Sequence, residues 1–295
     1  MKLREINDLR VKVLIGYVIV AMASIITLLI IIANIDRMIE YAILLMILFM
    51  AILIGGIFFV SSKFHEPYKV MYKNWIRTEV LDGLFTIDSF VPTEGFTKEF
   101  VESTYFIPRG NIFESDDLIK GSYNGIKFSR SDVAVKRRVK TGKSSTTITY
   151  FKGSWTVLEF PKKISSYLFI TEKEMFGASG PTGGLFESAP KTSKVKFEDI
   201  RFNDTFAVYA EDEHDAFYVL SPSLMERIME LEAEVDGRMM IGLIGNNIHV
   251  LFDDRNNSME PSVAFEITEE VLSDVKKEMS VIIDIIEMLK LKDMR

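Results

Sequence analysis

Two stretches of this chain carry no charged side chain, Val13 to Ala33 and Tyr41 to Val60. At about 1.5 Å of rise per residue, a helix over either one crosses the ~30 Å hydrocarbon core of a bilayer. Backbone in lipid must satisfy its own hydrogen bonds, and a helix does so within one segment. The connection from Asn34 to Glu40 is too short for anything but a reversal, so the pair reads as an antiparallel hairpin. A pair of buried core helices is the other way to hide such runs, but two adjacent charge-free runs of this length are a membrane signature. The first run is too long for the apolar region of a cleaved signal, and no small-x-small cleavage site follows it before the second run.

Loop charge sets the expected orientation. Lys2, Arg4, Arg10 and Lys12 precede the first span, and Lys63, Lys69, Lys73 and Arg77 follow the second. The connecting loop has Arg37 beside Asp36 and Glu40. Basic residues stay on the cytoplasmic side, which predicts a multi-pass cell-membrane protein with both termini in the cytoplasm. Ala51 and Gly55 form a small-x-x-x-small pair on the second helix, and Gly16, Ala23 and Thr27 offer close-approach points on the first. No charge lies inside either span to suggest a transport path.

The chain has 35 basic and 42 acidic residues, and its first sixty residues hold five and four of these. The remainder is therefore net acidic, which argues against a nucleic-acid binder. There is no cysteine, so disulfides, thiolate metal sites and a thiol nucleophile are excluded.

After the spans, Pro67 is suited to open a helix. From Tyr68 to Leu81, Tyr68, Met71, Tyr72, Trp75 and Ile76 share one face, and Lys69, Lys73 and Arg77 recur beside it. This is either a helix at the lipid surface, its cations toward anionic headgroups, or an ordinary amphipathic helix with a solvated basic stripe. Thr97 to Ser103 reads as a short helix. Tyr123 to Val139 reads as extended, broken at Asn124-Gly125, and Thr141 to Ser145 as a turn. Thr146 to Phe160, with Gly153 as a bulge, and Tyr167 to Thr171 follow as strands. Lys136, Arg138 and Lys140 alternate, so they share one strand face, with Arg137 on the other and Lys143 in the turn. That basic strip is either a second membrane-facing surface or a protected sheet edge.

Residues Gly177 to Gly184 read as a flexible loop, without the spacing of a phosphate-binding motif. Phe206 to Ala210 and Ala216 to Leu220 are expected to be strands about the acidic turn 211–215. Ser221 and Pro222 start a helix over Leu224 to Val235. Met239 to Ile244 and Ile248 to Phe252 are expected to form a hairpin about Gly245-Asn246-Asn247. Thr268 opens a final amphipathic helix. The fold class is thus α+β: a transmembrane helical hairpin, then a soluble domain of antiparallel strands with packed helices. Its parts are the anchor (1–62), a membrane-proximal helical segment (63–104), a β-rich subdomain (105–175), a flexible loop (176–194) and an α+β subdomain (195–295).

Nothing in the sequence marks catalysis, a metal or a cofactor. His65, His214 and His249 lack metal-ligand spacing, the acidic turn at 211–215 lacks the glycine of a calcium loop, and no GxSxG motif occurs.

Three stretches carry a family likeness: DLIKGSYNGIKFSRSD from Asp117 to Asp132, TYFKGSWTVLEFPK from Thr149 to Lys162, and VYAEDEHDAFYVLSPSLMERIMEL from Val208 to Leu231. With them the chain resembles an uncharacterised bacterial membrane protein family, domain of unknown function 3137. The resemblance implies a membrane-anchored α+β domain without established catalytic residues, and a LemA-type membrane protein as a possible partner. Three functions follow as expectations. One is a non-enzymatic scaffold or regulatory module that binds a membrane protein or the membrane surface. The others are a lipid-binding or lipid-sensing domain and a hydrolase with a dispersed active site. The membrane-surface residues are Lys69, Lys73, Arg77, Lys136, Arg138 and Lys140.

Overall fold

In a computed structural model of the chain, the described residues are 2–33, 41–142, 144–173, 190–235, 237–255 and 259–288, without the side chains at 42 and 160–165. The glycine-rich segment 177–184 and the connection 34–40 lie outside them. The chain divides into two compact units, Met1–Glu79 with Ser258–Val275, and Val80–Asn257 with Lys276–Arg295.

The first unit is built on helices α1 (Lys2–Ala33) and α2 (Ala42–Val60). Both are long and apolar enough to cross a membrane, and only 6% of the most apolar window of each is buried within the protein. That exposure suits lipid as the solvent, and it associates the chain with a membrane. The helices meet at glycines. A Cβ on Gly16 would stand 3.0 Å from Val60, and one on Gly56 would stand 2.8 Å from Val20. The expected contact residue Gly55 meets nothing within 4 Å. One residue turns the helix by about 100°, so Gly56 rather than Gly55 faces α1.

The second span does not stop at the membrane. A π-helical turn, Ser61–His65, leads straight into α3 (Glu66–Ile76), and the Glu66 N–H bonds to the Ser61 carbonyl five residues back. Pro67, expected to open a helix, instead stands inside a continuing one. Proline lacks an N–H and presses on the carbonyl four residues earlier, and the wider π turn accommodates both. A second π turn, Arg77–Leu81, and the short α4 (Asp82–Leu84) follow.

The second unit is one antiparallel sheet with helices packed on it. Its elements are β1 (Thr86–Val91), α5 (Lys98–Ser103), β2 (Ile112–Tyr123), β3 (Ile126–Thr141), β4 (Ser144–Glu172), β5 (Ser193–Val195), α6 (Ile200–Thr205), β6 (Phe206–Ala210), α7 (Glu213–Val219), α8 (Pro222–Glu234) and β7 (Arg238–Asp253). Helix α9 (Glu269–Met288) ends the described chain. The strand order is β1-β2-β3-β4-β6-β5, and β7 pairs with β4 off that path. The segments 105–175 and 195–255 thus contribute to one sheet.

Local chemistry explains the ends of several elements. Asn124 and Gly125 take φ of +50° and +79°, as a two-residue hairpin turn between β2 and β3 requires. Thr97 and Ser221 cap α5 and α8 through their hydroxyls. Other expectations fail for tertiary reasons. The two strands expected over 146–171 are the single 29-residue β4. The hairpin expected about Gly245 is the single strand β7, which runs along β4 from Met240 opposite Thr171 to Phe252 opposite Ser154. Gly245 does take φ of +60°, but it lies opposite the irregular stretch of β4 and gives a bulge, not a reversal. Ala216 to Leu220 is not a strand. The Asp212 carboxylate accepts the His214 N–H, and with Glu213 and Asp215 in the first turn the acidic stretch starts α7.

Gly153 is not a bulge either. The register of β3 and β4 slips at Tyr150, between the pairs Val135–Phe151 and Lys136–Thr149. Gly153 instead lets β7 approach, because a Cβ there would lie 1.9 Å from the Phe252 carbonyl oxygen. Gly153→Ala should therefore cost ~1–3 kcal/mol, the range for overpacking against atoms that cannot swing away. Chemical denaturation of the variant should show a lowered midpoint at unchanged slope.

Candidate membrane and partner surfaces

In the first unit, the stretch 259–267 lies as a strap on α1 and α3. Asn7 makes two bonds to Ile267, donating from Nδ2 to its carbonyl at 2.8 Å and accepting its N–H at 2.9 Å. Arg10 donates to the Val263 carbonyl at 3.2 Å, and the Tyr68 hydroxyl to that of Ser262 at 2.6 Å. Burial pushes the Tyr68 phenol up to about 12, so it remains a donor. Glu260 receives Lys73 at 2.8 Å and Lys69 at 3.1 Å. Lys73 is buried and Arg77 half-buried. Beside Lys69, the His65 imidazole shares a 3.1 Å hydrogen bond with the Tyr17 hydroxyl, and burial, then the Lys69 charge, hold its pKa down. An open groove of about 400 Å³ also lies between α1 and α3, lined by Ile6, Val70, Met71 and Trp75 with Lys2 and Glu5 at its rim.

In the second unit, Lys136, Arg138 and Lys140 lie on an arm. Strand β2 last pairs with β3 at Ile112–Lys136, and β7 last pairs with β4 at Phe252–Ser154. Beyond those points β3 and β4 pair only with each other among the described residues. The slip at Tyr150 marks the root of this two-stranded arm. Arg138 and Lys140 are exposed, and Lys136 pairs with Glu114 at 2.8 Å. On the opposite face Val139 and Ile148 are 41% and 47% exposed. From Arg137 to Tyr150 there are four basic residues and no acidic one. The outer edge of β3 is stopped by Asn111, whose Oδ1 accepts the Arg138 N–H and whose Nδ2 donates to the Arg138 carbonyl. The two basic strips therefore lie in different units. Sequence patterns missed Glu260, Asn7 and Asn111, because each acts on a partner far along the chain.

Several perturbed groups of the second unit are buried. His249 is buried and accepts the Trp155 indole N–H at 3.2 Å, between Phe100 and Phe106. Burial lowers its pKa to about 3, so it stays neutral. Asp132 is pushed up to about 6 by burial, against the pull of Arg130 at 2.9 Å. Arg130 also pairs with Glu278 on α9. His214 is exposed at the start of α7. Arg130, Asp132 and His249 are thus held in pairings within the domain.

Fold and surfaces together define a membrane-associated α+β protein with two apolar N-terminal helices and a basic β-arm. Residues 149–291 match the family model described as a protein of unknown function, DUF3137, the family that the three motifs resemble. The second and third motifs lie inside that match. No curated protein matches the chain. Among solved structures, the crystal structure of the mycobacterial trehalose monomycolate transport factor A, TtfA, is similar at a TM-score of 0.39 and 7% identity, over 75% of this chain and 95% of that one. A likeness at that level carries nothing about function, and neither match speaks for a LemA-type partner.

The strap has a testable pH dependence. Burial would raise the Glu260 pKa, but the hydrogen bonds and charges of Lys73 and then Lys69 outweigh it and hold the carboxyl below its usual 4.5. A depressed carboxyl contributes stability that is present above the unfolded value and lost as pH falls through the folded one. Hydrogen-exchange protection of the Ile267 amide should thus fall as the pH drops below 4.5. Glu260→Gln should lower that protection at neutral pH by roughly 1.5–3 kcal/mol, the range for hydrogen bonds to a charged group, and remove the acid step.

Proposed function

We propose that the chain is a membrane-tethered, non-enzymatic binding module whose β3–β4 arm engages anionic lipid headgroups. The observation that carries this reading is the arm itself: a ribbon outside the sheet, basic and free of acid, on a net-acidic protein held at a membrane. Each Lys or Arg near an anionic surface contributes ~1 kcal/mol, fading within a Debye length of ~8 Å at physiological salt. On the other face Val139 and Ile148 flank Arg137, an apolar and cationic mixture that suits the headgroup boundary. Lys69 and Lys73 are engaged by Glu260, Lys136 is engaged by Glu114 and Arg77 is half-buried, so of the six expected surface residues Arg138 and Lys140 carry the reading.

The test uses the full chain with a single dye at Ser145→Cys, since no native thiol competes. In bilayers containing phosphatidylserine its emission should shift blue relative to pure phosphatidylcholine, and the shift should vanish with salt. Arg138→Glu with Lys140→Glu should abolish it, whereas Lys276→Glu with Lys277→Glu should not. An unchanged emission at low salt defeats the lipid reading.

A second reading has its own observation. Asn111 closes the edge of β3, but the outer edge of β4 from Ser144 to Thr149 pairs with no strand among the described residues. That edge suits an extended, acidic segment of a membrane protein partner, added as a further strand.

The orientation we infer puts both termini in the cytoplasm, from the Lys and Arg bias. Asn34→Cys should then react with an impermeant maleimide outside intact cells, and Ser61→Cys only after the membrane is opened. The reverse pattern refutes it.

A further inference from the structure

The strap over the first unit carries an exposed aromatic side chain. Phe265 is 76% exposed, although Met259, Pro261 and Ile267 of the same stretch are buried. Its backbone is tied down, because its N–H bonds to the Ser262 hydroxyl at 3.2 Å. The strap is also pinned on both sides of it, at Val263 by Arg10 and at Ile267 by Asn7.

Those two pins give its depth. The apolar run of α1 starts at Val13, so Arg10 and Asn7 stand about 4.5 and 9 Å beyond it at 1.5 Å per residue. A headgroup layer is roughly 5–7 Å thick on each side of the hydrocarbon. Two further side chains mark this level as the interface. Lys12 is exposed on α1, and Lys63, in the π turn after α2, lies over the Phe59 ring with its Nζ 5.2 Å from the centroid. A cation held over an aromatic ring just past an apolar span suits the membrane boundary, where aromatic side chains sit at headgroup level.

We propose that Phe265 is an interfacial anchor, and that the strap 259–267 is a third membrane contact, made by lipid at headgroup level. Water is a poor environment for an exposed aromatic ring, and a second protein copy is the other cover for it. Lipid is favoured because the strap is fastened to the extramembrane ends of the same helices that cross the bilayer. It needs no acidic lipid, since Glu266 stands next to the ring. This inference is separate from the arm and does not depend on it.

The experiment places one nitroxide at a time on the full chain in phosphatidylcholine vesicles, at Phe265→Cys, at Arg4→Cys as the aqueous reference, and at Ile47→Cys as the reference within the span. Phe265 is exposed, so its replacement leaves the strap's hydrogen bonds in place. Collision with a water-soluble nickel chelate should be several-fold lower at 265 than at 4. Collision with oxygen should be higher at 265 than at 4, toward the value at 47. Nickel collision at 265 equal to that at 4 would place the ring in water and overturn the proposal. Protection from nickel and oxygen alike would place it under protein, and would overturn it in favour of a second copy.

Discussion

Strand β4 is the member on which the sheet depends. Its first half offers one edge to β3 and its second half offers the same edge to β6, while β7 runs along the other. The close approach of β7 rests on glycine, at Gly153 beneath the Phe252 carbonyl. On β7 itself, Gly242 makes room for the Phe106 ring, which lies flat against Phe169 at 5.1 Å and joins Trp155 and His249 in the aromatic core. A side chain at Gly153 would push β7 away from β4, and the polar partnership of Trp155 with His249 spans the same two strands. The buried histidine is thus a product of strand pairing: it is neutral because the pairing removes it from water.

The first unit is organised by a different solvent. In lipid, apolar side chains gain nothing by hiding from their surroundings, so α1 and α2 meet through small residues and shape. Outside the spans, ordinary hydrogen bonds and an ion pair take over. Asn7, Arg10 and Tyr68 hold backbone groups of the strap, and Lys69 and Lys73 converge on Glu260. The π turn at Ser61–His65 is where these regimes join, and it lets one helix run from lipid into water past a proline.

Function follows from what such an architecture leaves over. Two buried groups with shifted values are engaged by the fold, Asp132 by Arg130 and His249 by Trp155. Chemistry left at the surface includes the exposed Arg138 and Lys140 of the arm and the exposed ring of Phe265.

The sequence alone determined the helical hairpin, the α+β class, the Asn124-Gly125 turn and the caps at Thr97 and Ser221. Each is decided by residues within a few positions of one another: unbroken hydrophobicity, glycine conformation, a hydroxyl before a helix. It also determined that Lys136, Arg138 and Lys140 share a face, because strand alternation is local. Only the tertiary structure decided that β7 is one strand, since the Gly245-Asn246-Asn247 signal suits a turn and a bulge equally and the length of β4 selects between them. It likewise decided that Lys73 is buried and spoken for, since its partner Glu260 lies 187 residues away. A lysine on a helix reads the same in sequence whether it meets water, lipid or a carboxylate. What distinguishes these fates is the return of a distant segment, and no local pattern encodes that.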